Sequence, residues 1–167
     1  MLDIPESDIG GRVPPASIQA EVSVLGSMLL DAPGVIPVLA DFLLVHDFYR
    51  PAHAIIFEAL VRMFRAGKPI DLVTVREYLT TAKTLGAAGG IEYLVDLVEG
   101  IPSTANYEYY AGIVKDKAIL RGLIAHATEI LEQAYRDPPD ASTVLEWGES
   151  SMFRIAREET RATHASF

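Results

Sequence analysis

From Ser17 onward, apolar side chains recur at three- and four-residue steps, and no alternating strand pattern of useful length interrupts them. Ile18, Val22, Leu25 and Leu29 form one apolar stripe of a first helix. Ser17 suits its N-cap, but a strict capping box fails, because Ala20 holds the third position and Glu21 comes one place late. A stripe of small residues, Ala16, Ala20, Ser23 and Ser27, together with Gly26, would admit a close backbone neighbour. Pro33-Gly34 reads as the end of this helix, and Val35 to Val45 as a short second one. His46 to Arg50 reads as a loop, after which Pro51 suits the first turn of a third helix. Ile55, Ile56, Ala59, Leu60 and Met63 form its inward side, and Gly67 stops it near Arg65. Asp71 can cap a fourth helix, Leu72 to about Thr81, with Leu72, Val75 and Leu79 inward. Gly86 to Gly90 forms a loop, and Ile91, Leu94, Val95 and Val98 mark a fifth helix that Gly100 and Pro102 end.

The pattern then lengthens. Ser103 caps a new helical start, and no proline follows until position 138, so one or two long helices are expected. Ile113, Leu120, Ile124, Ala127, Leu131 and Ala134 run along one side. Pro138-Pro139 forces a stop, and Asp140 or Ser142 caps a last helix. Leu145, Met152 and Ile155 line its apolar side, with the small Gly148 and Ser151 between them. Two arms of about 20 residues, each ~30 Å long, predict an antiparallel helical hairpin. Such a hairpin cannot bury both faces alone and needs the globular part or another chain. The expected architecture is all-α: a flexible tail over 1–16, a globular helical bundle over 17–102, and a long hairpin over 103–159.

Composition narrows the chemistry. Half of the 167 residues are hydrophobic and 22% are charged, which suits a globular domain. Without cysteine there is no disulfide framework, thiolate zinc site or cysteine nucleophile. The net charge of −9 has the wrong sign for a nucleic-acid surface and favours protein partners. Residues 103–167 are acidic too, with seven basic and ten acidic side chains. There is no phosphate-cradling P-loop, no G-x-G-x-x-G and no G-x-S-x-G. His126 and Glu129, three apart on one helix, are the best metal-ligand pair, but no second pair accompanies them. The competing readings are therefore a helical interaction module, a freestanding metal-dependent enzyme using His126 and Glu129, and a direct DNA-binding module.

Several segments resemble the N-terminal domain of bacterial replicative DNA helicases of the DnaB family. Pro14-Pro15-Ala16-Ser17-Ile18-Gln19-Ala20-Glu21, followed by Val24-Leu25-Gly26, is similar to the family's opening motif. Asp47-Phe48-Tyr49-Arg50 with His53 and Ile56-Phe57 resembles its third-helix motif, and Gly67-Lys68-Pro69-Ile70-Asp71-Leu72-Val73-Thr74 the turn and helix that follow. Gly89-Gly90, Tyr93-Leu94, Pro102-Ser103, Asn106, Tyr110-Ala111, Ile113-Val114 and Arg121 continue in register, and the resemblance covers about residues 14–158. Gln19 stands where the family usually has glutamate, Gly148 where alanine is usual, and Trp147 is atypical.

The resemblance implies a collar domain that mediates helicase oligomerisation as a trimer of dimers and recruits primase through that enzyme's C-terminal helical domain. Leu145, Met152 and Ile155 are the candidates for the dimer interface. Tyr93, Ile124 and Ile130 are the candidates for primase docking. Ile124 and Ile130 point about 120° apart, so one pairing surface need not bury both. The resemblance further implies a bacterial cytoplasmic setting, contact with a helicase loader, and no membrane partner. Residues 160–167 would begin a linker to a RecA-like ATPase domain. That domain would carry ATP, Mg and most DNA contact, leaving these 167 residues without catalytic, cofactor or metal residues.

Overall fold

A computed structural model describes residues 12–164, with side chains described to residue 157. Its helices are α1 (Ile18–Leu30), α2 (Ala32–Phe42), α3 (Pro51–Arg65), α4 (Leu72–Thr81), α5 (Gly90–Glu99), α6 (Tyr107–Tyr135) and α7 (Ala141–His164). One 3-10 turn, Val45–Asp47, joins α2 to α3, and no strand occurs among the described residues. The fold is all-α, and no described helix is long and apolar enough to cross a membrane.

α1 is the centre of the bundle and packs on α2, α3, α5 and α6. Ser17 caps it, its hydroxyl accepting the Ala20 N–H. The single stripe read from the sequence is not what is buried. Leu25 is fully enclosed, whereas Ile18, Val22 and Leu29 are half-buried and Val24 and Met28 are fully covered. A helix surrounded on several sides buries residues all round and loses the one-sided pattern. The small-residue stripe does admit a close neighbour. A Cβ on Gly26 would collide with the Leu97 carbonyl at the end of α5.

Pro33 opens α2 rather than ending α1. Asp31 ends α1 and caps α2 at once, its carboxylate accepting the Gly34 N–H at 3.1 Å. Proline fits a first helical turn because no N–H is required there. α3 ends as expected. Gly67, at φ +64°, lets Lys68 N–H reach the Met63 carbonyl at 3.0 Å. Asp71 caps α4 by accepting the Val73 and Thr74 N–H groups, and these bonds hold its carboxyl below the usual range. Ser103 accepts the Ala105 N–H in a preceding turn, and α6 starts only at Tyr107.

α6 is one continuous helix of 29 residues that belongs to two environments. Its first half, with Ala111, Val114, Lys115 and Arg121 buried, packs against α1 and the 45–47 turn. Its second half meets α7. The stretch of α6 that pairs with α7 therefore begins beyond Arg121 rather than at 103, and α7 also touches α2. At the hairpin turn Asp140, not Ser142, is the cap, accepting the Ser142 N–H at 2.9 Å. α7 stays helical to His164, past residue 160 where a linker was expected to begin; residues 165–167 lie outside the described residues. Of the expected flexible tail, residues 1–11 lie outside the described residues, while Pro14 to Ala16 are half-buried and held by Arg121.

Gly26 and Gly148 are both buried helical glycines, yet their alanine variants are predicted to differ in sign. A Cβ on Gly148 meets only Ile130 Cδ1, at an ordinary 3.5 Å. Gly148→Ala should stabilise by about 1 kcal/mol, raising Tm by about 2–4 °C. Gly26→Ala should destabilise by about 1–3 kcal/mol, because the Leu97 backbone must move. Urea unfolding of the two variants measures both.

Candidate functional site

The chemistry-bearing residues gather in a buried polar hub under the hairpin's root. Glu21, on α1, is 1% exposed. Its carboxylate accepts the Tyr49 N–H at 2.7 Å and the Arg50 N–H at 3.4 Å, which crown the N-terminus of α3. The same carboxylate lies 2.5 Å from Nδ1 of His53, which is 0% exposed. A carboxylate can only accept, so Nδ1 carries a proton, and in the neutral ring Nε2 is then an acceptor. Tyr93 of α5 fills that role, its hydroxyl donating to Nε2 at 2.6 Å. Three helices and a turn are thus joined through one imidazole.

A second pair adjoins it. Asp47, 3% exposed, accepts Lys115 Nζ at 2.9 Å and the Leu44 N–H at 2.8 Å. Arg121 donates to the Asp47 carbonyl at 2.6 Å and to the Pro15 carbonyl at 2.8 Å, and lies over the Tyr49 ring. Burial draws the Arg121 guanidinium below its ordinary value, and the charges of Glu21 and Asp47 oppose that shift. Two carboxylates and two cations balance in a region shielded from water, as buried charges require. Among the described residues no buried side-chain polar atom is left without a partner.

The Glu21–His53–Tyr93 chain has the hydrogen-bond order of a catalytic relay. Glu21 and His53 are sealed in the core, however, so a substrate would have no access to the imidazole. The arrangement fixes the position of α3, α5 and the root of α6.

The hairpin is closed by a smaller device. His126, 4% exposed, donates from Nε2 to the Gly148 carbonyl at 3.2 Å and accepts the Ser151 hydroxyl at Nδ1, 2.7 Å away. Trp147 packs beside it, with ring centres 5.2 Å apart. Both imidazole nitrogens are therefore engaged across the arms, and Glu129 faces solvent, so the two do not converge as a ligand pair.

The proposed interface residues fall into four groups. Ile124 is 44% exposed and lies with Leu120 and Leu131 on the face of α6 turned about 140° from His126. Leu145 and Met152 on α7 are 67% and 47% exposed. Ile130 and Ile155 are half-buried, and Ile130 lies against Gly148 of the opposite arm. Tyr93 is half-buried, and its hydroxyl is already bonded to His53. Ile124 and Ile130 thus serve different faces, and Tyr93 sits apart on α5.

Residues 13–116 match the model of the DnaB-like helicase N-terminal domain. The chain belongs to this family. It is 38% identical over 148 residues to the replicative DNA helicase DnaB of Geobacillus stearothermophilus, covering 89% of this chain and 32% of that protein. The chain therefore spans about a third of that relative's length. Among solved structures, the N-terminal domain of DnaB helicase from Mycobacterium tuberculosis is 35% identical with a TM-score of 0.80, covering 86% of this chain and 99% of that one. A DnaB-like replicative helicase, solved in a study of its interactions with primase, shares the fold at 24% identity and a TM-score of 0.66, over 81% of this chain and 31% of that one.

The residues quoted for the family resemblance come together in the hub. Asp47, Tyr49, Arg50, His53, Tyr93 and Arg121, scattered in sequence, meet around Glu21. Lys115 is the member that the sequence pattern did not single out. Its only signal is a lysine directly after the apolar run Ile113-Val114. Glu21→Ala should destabilise by about 3–5 kcal/mol, since it strands two backbone N–H groups and the His53 proton. Adding His53→Ala should cost much less than it does alone, and a double-mutant cycle by urea unfolding reads that coupling.

Proposed function

We propose that this domain acts as the collar of a replicative helicase, pairing with other copies through its hairpin and offering the same hairpin to primase. The observation that carries this reading is the uncovered apolar seam. The His126–Ser151 closure satisfies the inner faces of the arms. Leu120, Ile124 and Leu131 on one arm, and Leu145, Met152 and Phe153 on the other, remain 44% to 67% exposed. An apolar surface of this kind on a rigid element is what a protein partner covers. In this reading copies pair as dimers, three pairs form the collar of a hexamer, and the C-terminal helical domain of primase docks beside the seam. The whole protein would then carry an ATP- and Mg-dependent DNA-unwinding motor and work in the bacterial cytoplasm, where a loader could assemble it. The acidic surface supports protein contact over direct DNA binding by this domain.

Two sets of variants test it. Leu145→Asp with Met152→Asp should lower self-association in sedimentation without lowering Tm, since both side chains are exposed in the single chain. Ile155→Asp, half-buried, should lower both. Unchanged association in all of them would remove the seam from the reading. Ile124→Ala should weaken binding of the primase C-terminal domain by about 1–2 kcal/mol in calorimetry, with helicity intact. Ile130→Ala should weaken it only as far as it loosens the contact with Gly148.

A further inference from the structure

A second uncovered apolar surface lies on elements other than the two hairpin arms. A groove of about 230 Å³ runs between the end of α2, the 45–47 turn and α3. Ala40, Leu43, Leu44 and Val45 form one wall, and Phe57 and Val61 of α3 form the other. Leu44 is 46% and Val45 39% exposed, so apolar side chains stand in water along its edge. The groove is smaller than the ~300–1,000 Å³ of small-molecule sites and suits a few side chains of a peptide.

The charged residues that line the groove are Arg62, Arg65 and Glu58. Arg62 and Glu58 form an exposed pair at 2.6 Å, and Arg65 makes no ion pair among the described residues. The lining thus carries a net charge of +1 in a chain of −9. The N-terminal segment, residues 1–11, has the complementary character. Its charged side chains are Asp3, Glu6 and Asp8, and Leu2, Ile4 and Ile9 are apolar. Arg121 sets where that segment starts. It donates to the Pro15 carbonyl at 2.8 Å and to the Asp47 carbonyl at 2.6 Å, so the chain leaves the bundle beside the turn whose Val45 lines the groove. Val13 is already 83% exposed. From Phe57 to Arg65 the groove follows α3 for about 12 Å, and residues 1–14 can reach about 45 Å.

We propose that residues 1–11 of this chain lie across the groove as a strap. Leu2, Ile4 and Ile9 cover Leu44, Val45 and Val61, and the carboxylates meet Arg62 and Arg65. Tether and charge together select this occupant. A segment anchored beside the groove is present there at about millimolar effective concentration, so a contact too weak to hold a free peptide is still populated. Its three acids meet a lining of positive sign, whereas the net charge of the whole chain would repel them. The strap depends on neither the hairpin seam nor primase docking.

The chain has no cysteine, so Ser7→Cys gives a single site for a nitroxide label. In the ¹⁵N-labelled 167-residue chain the nitroxide should broaden the amide signals of Val61, Arg62 and Arg65, far along the groove from the exit beside Asp47. Arg65→Glu should reduce that broadening about threefold, the size of an exposed ion pair, and raising salt from ~50 to ~300 mM should reduce it too. Leu44→Ser should reduce it through the apolar contact. Both side chains are exposed, so the fold should be unchanged, as the remaining signals report. Broadening confined to the residues around Pro15 and Asp47 overturns the proposal. So does broadening at Arg65 that neither Leu44→Ser nor salt changes. In a mixture of ¹⁵N-labelled chain without nitroxide and unlabelled chain with it, the groove signals should stay sharp. Equal broadening there puts the segment of a second copy in the groove and overturns the own-chain strap.

Discussion

Glu21 is a carboxylate buried in the middle of α1, and a charge in that place is tolerated only when its surroundings are built around it. Its partners come from three other elements: the backbone N–H groups of Tyr49 and Arg50 from the turn before α3, and His53 from α3, through which Tyr93 of α5 is reached. None of these groups can shift without leaving a buried polar atom unpaired. That requirement fixes the direction in which the chain enters α3 and the distance between α3 and α5. The apolar core supplies most of the burial, with Leu25, Met28, Ile36, Ile56 and Leu60 fully enclosed. Apolar packing is weakly directional, whereas hydrogen bonds to a charge are not.

The same hub anchors the root of α6. Lys115 and Arg121 leave α6 toward Asp47, and Arg121 also holds Pro15. Five residues after Arg121, His126 begins the contact with α7 instead. α6 is therefore a lever whose root is locked in the core and whose far half carries the hairpin. A rigid root holds the exposed Ile124 and Leu131 in a defined direction, which the proposed docking surface requires. The departures from the family pattern at Trp147 and Gly148 both fall at the His126 closure. Ile130 lies against Gly148, and the tryptophan packs beside the imidazole.

Much of the local structure was legible because its causes are local. Ser17, Asp71 and Asp140 cap the helices they precede, Pro51 opens α3 and Gly67 closes it. Each depends on a few neighbouring residues and on backbone geometry that the residue type dictates. Errors arose where two local readings competed. Pro33 fits both the end of one helix and the first turn of the next, and the bond from Gly34 to Asp31 decides for the second. Ser103 caps a short turn of its own, so α6 waits until Tyr107.

By itself, the sequence determined the helical class, the order of the elements, the long hairpin and the family, since periodicity, caps and motif spacing are properties of contiguous chain. It also showed that the hairpin has more apolar surface than it can bury alone. Tertiary structure decided what each polar residue does. Glu21 reads locally as a misplaced capping residue, Lys115 as an ordinary surface lysine, and His126 as half of a metal pair. Glu21 meets His53 across 32 residues of chain, Lys115 meets Asp47 across 68, and His126 meets Ser151 across 25. Likewise the apolar pattern of α6 is the same whether a residue turns to α7 or to solvent. The placement of α7 sends Ile130 inward and Ile124 outward. Such pairings depend on how the helices pack against one another, and that packing is not written in any single stretch of the chain.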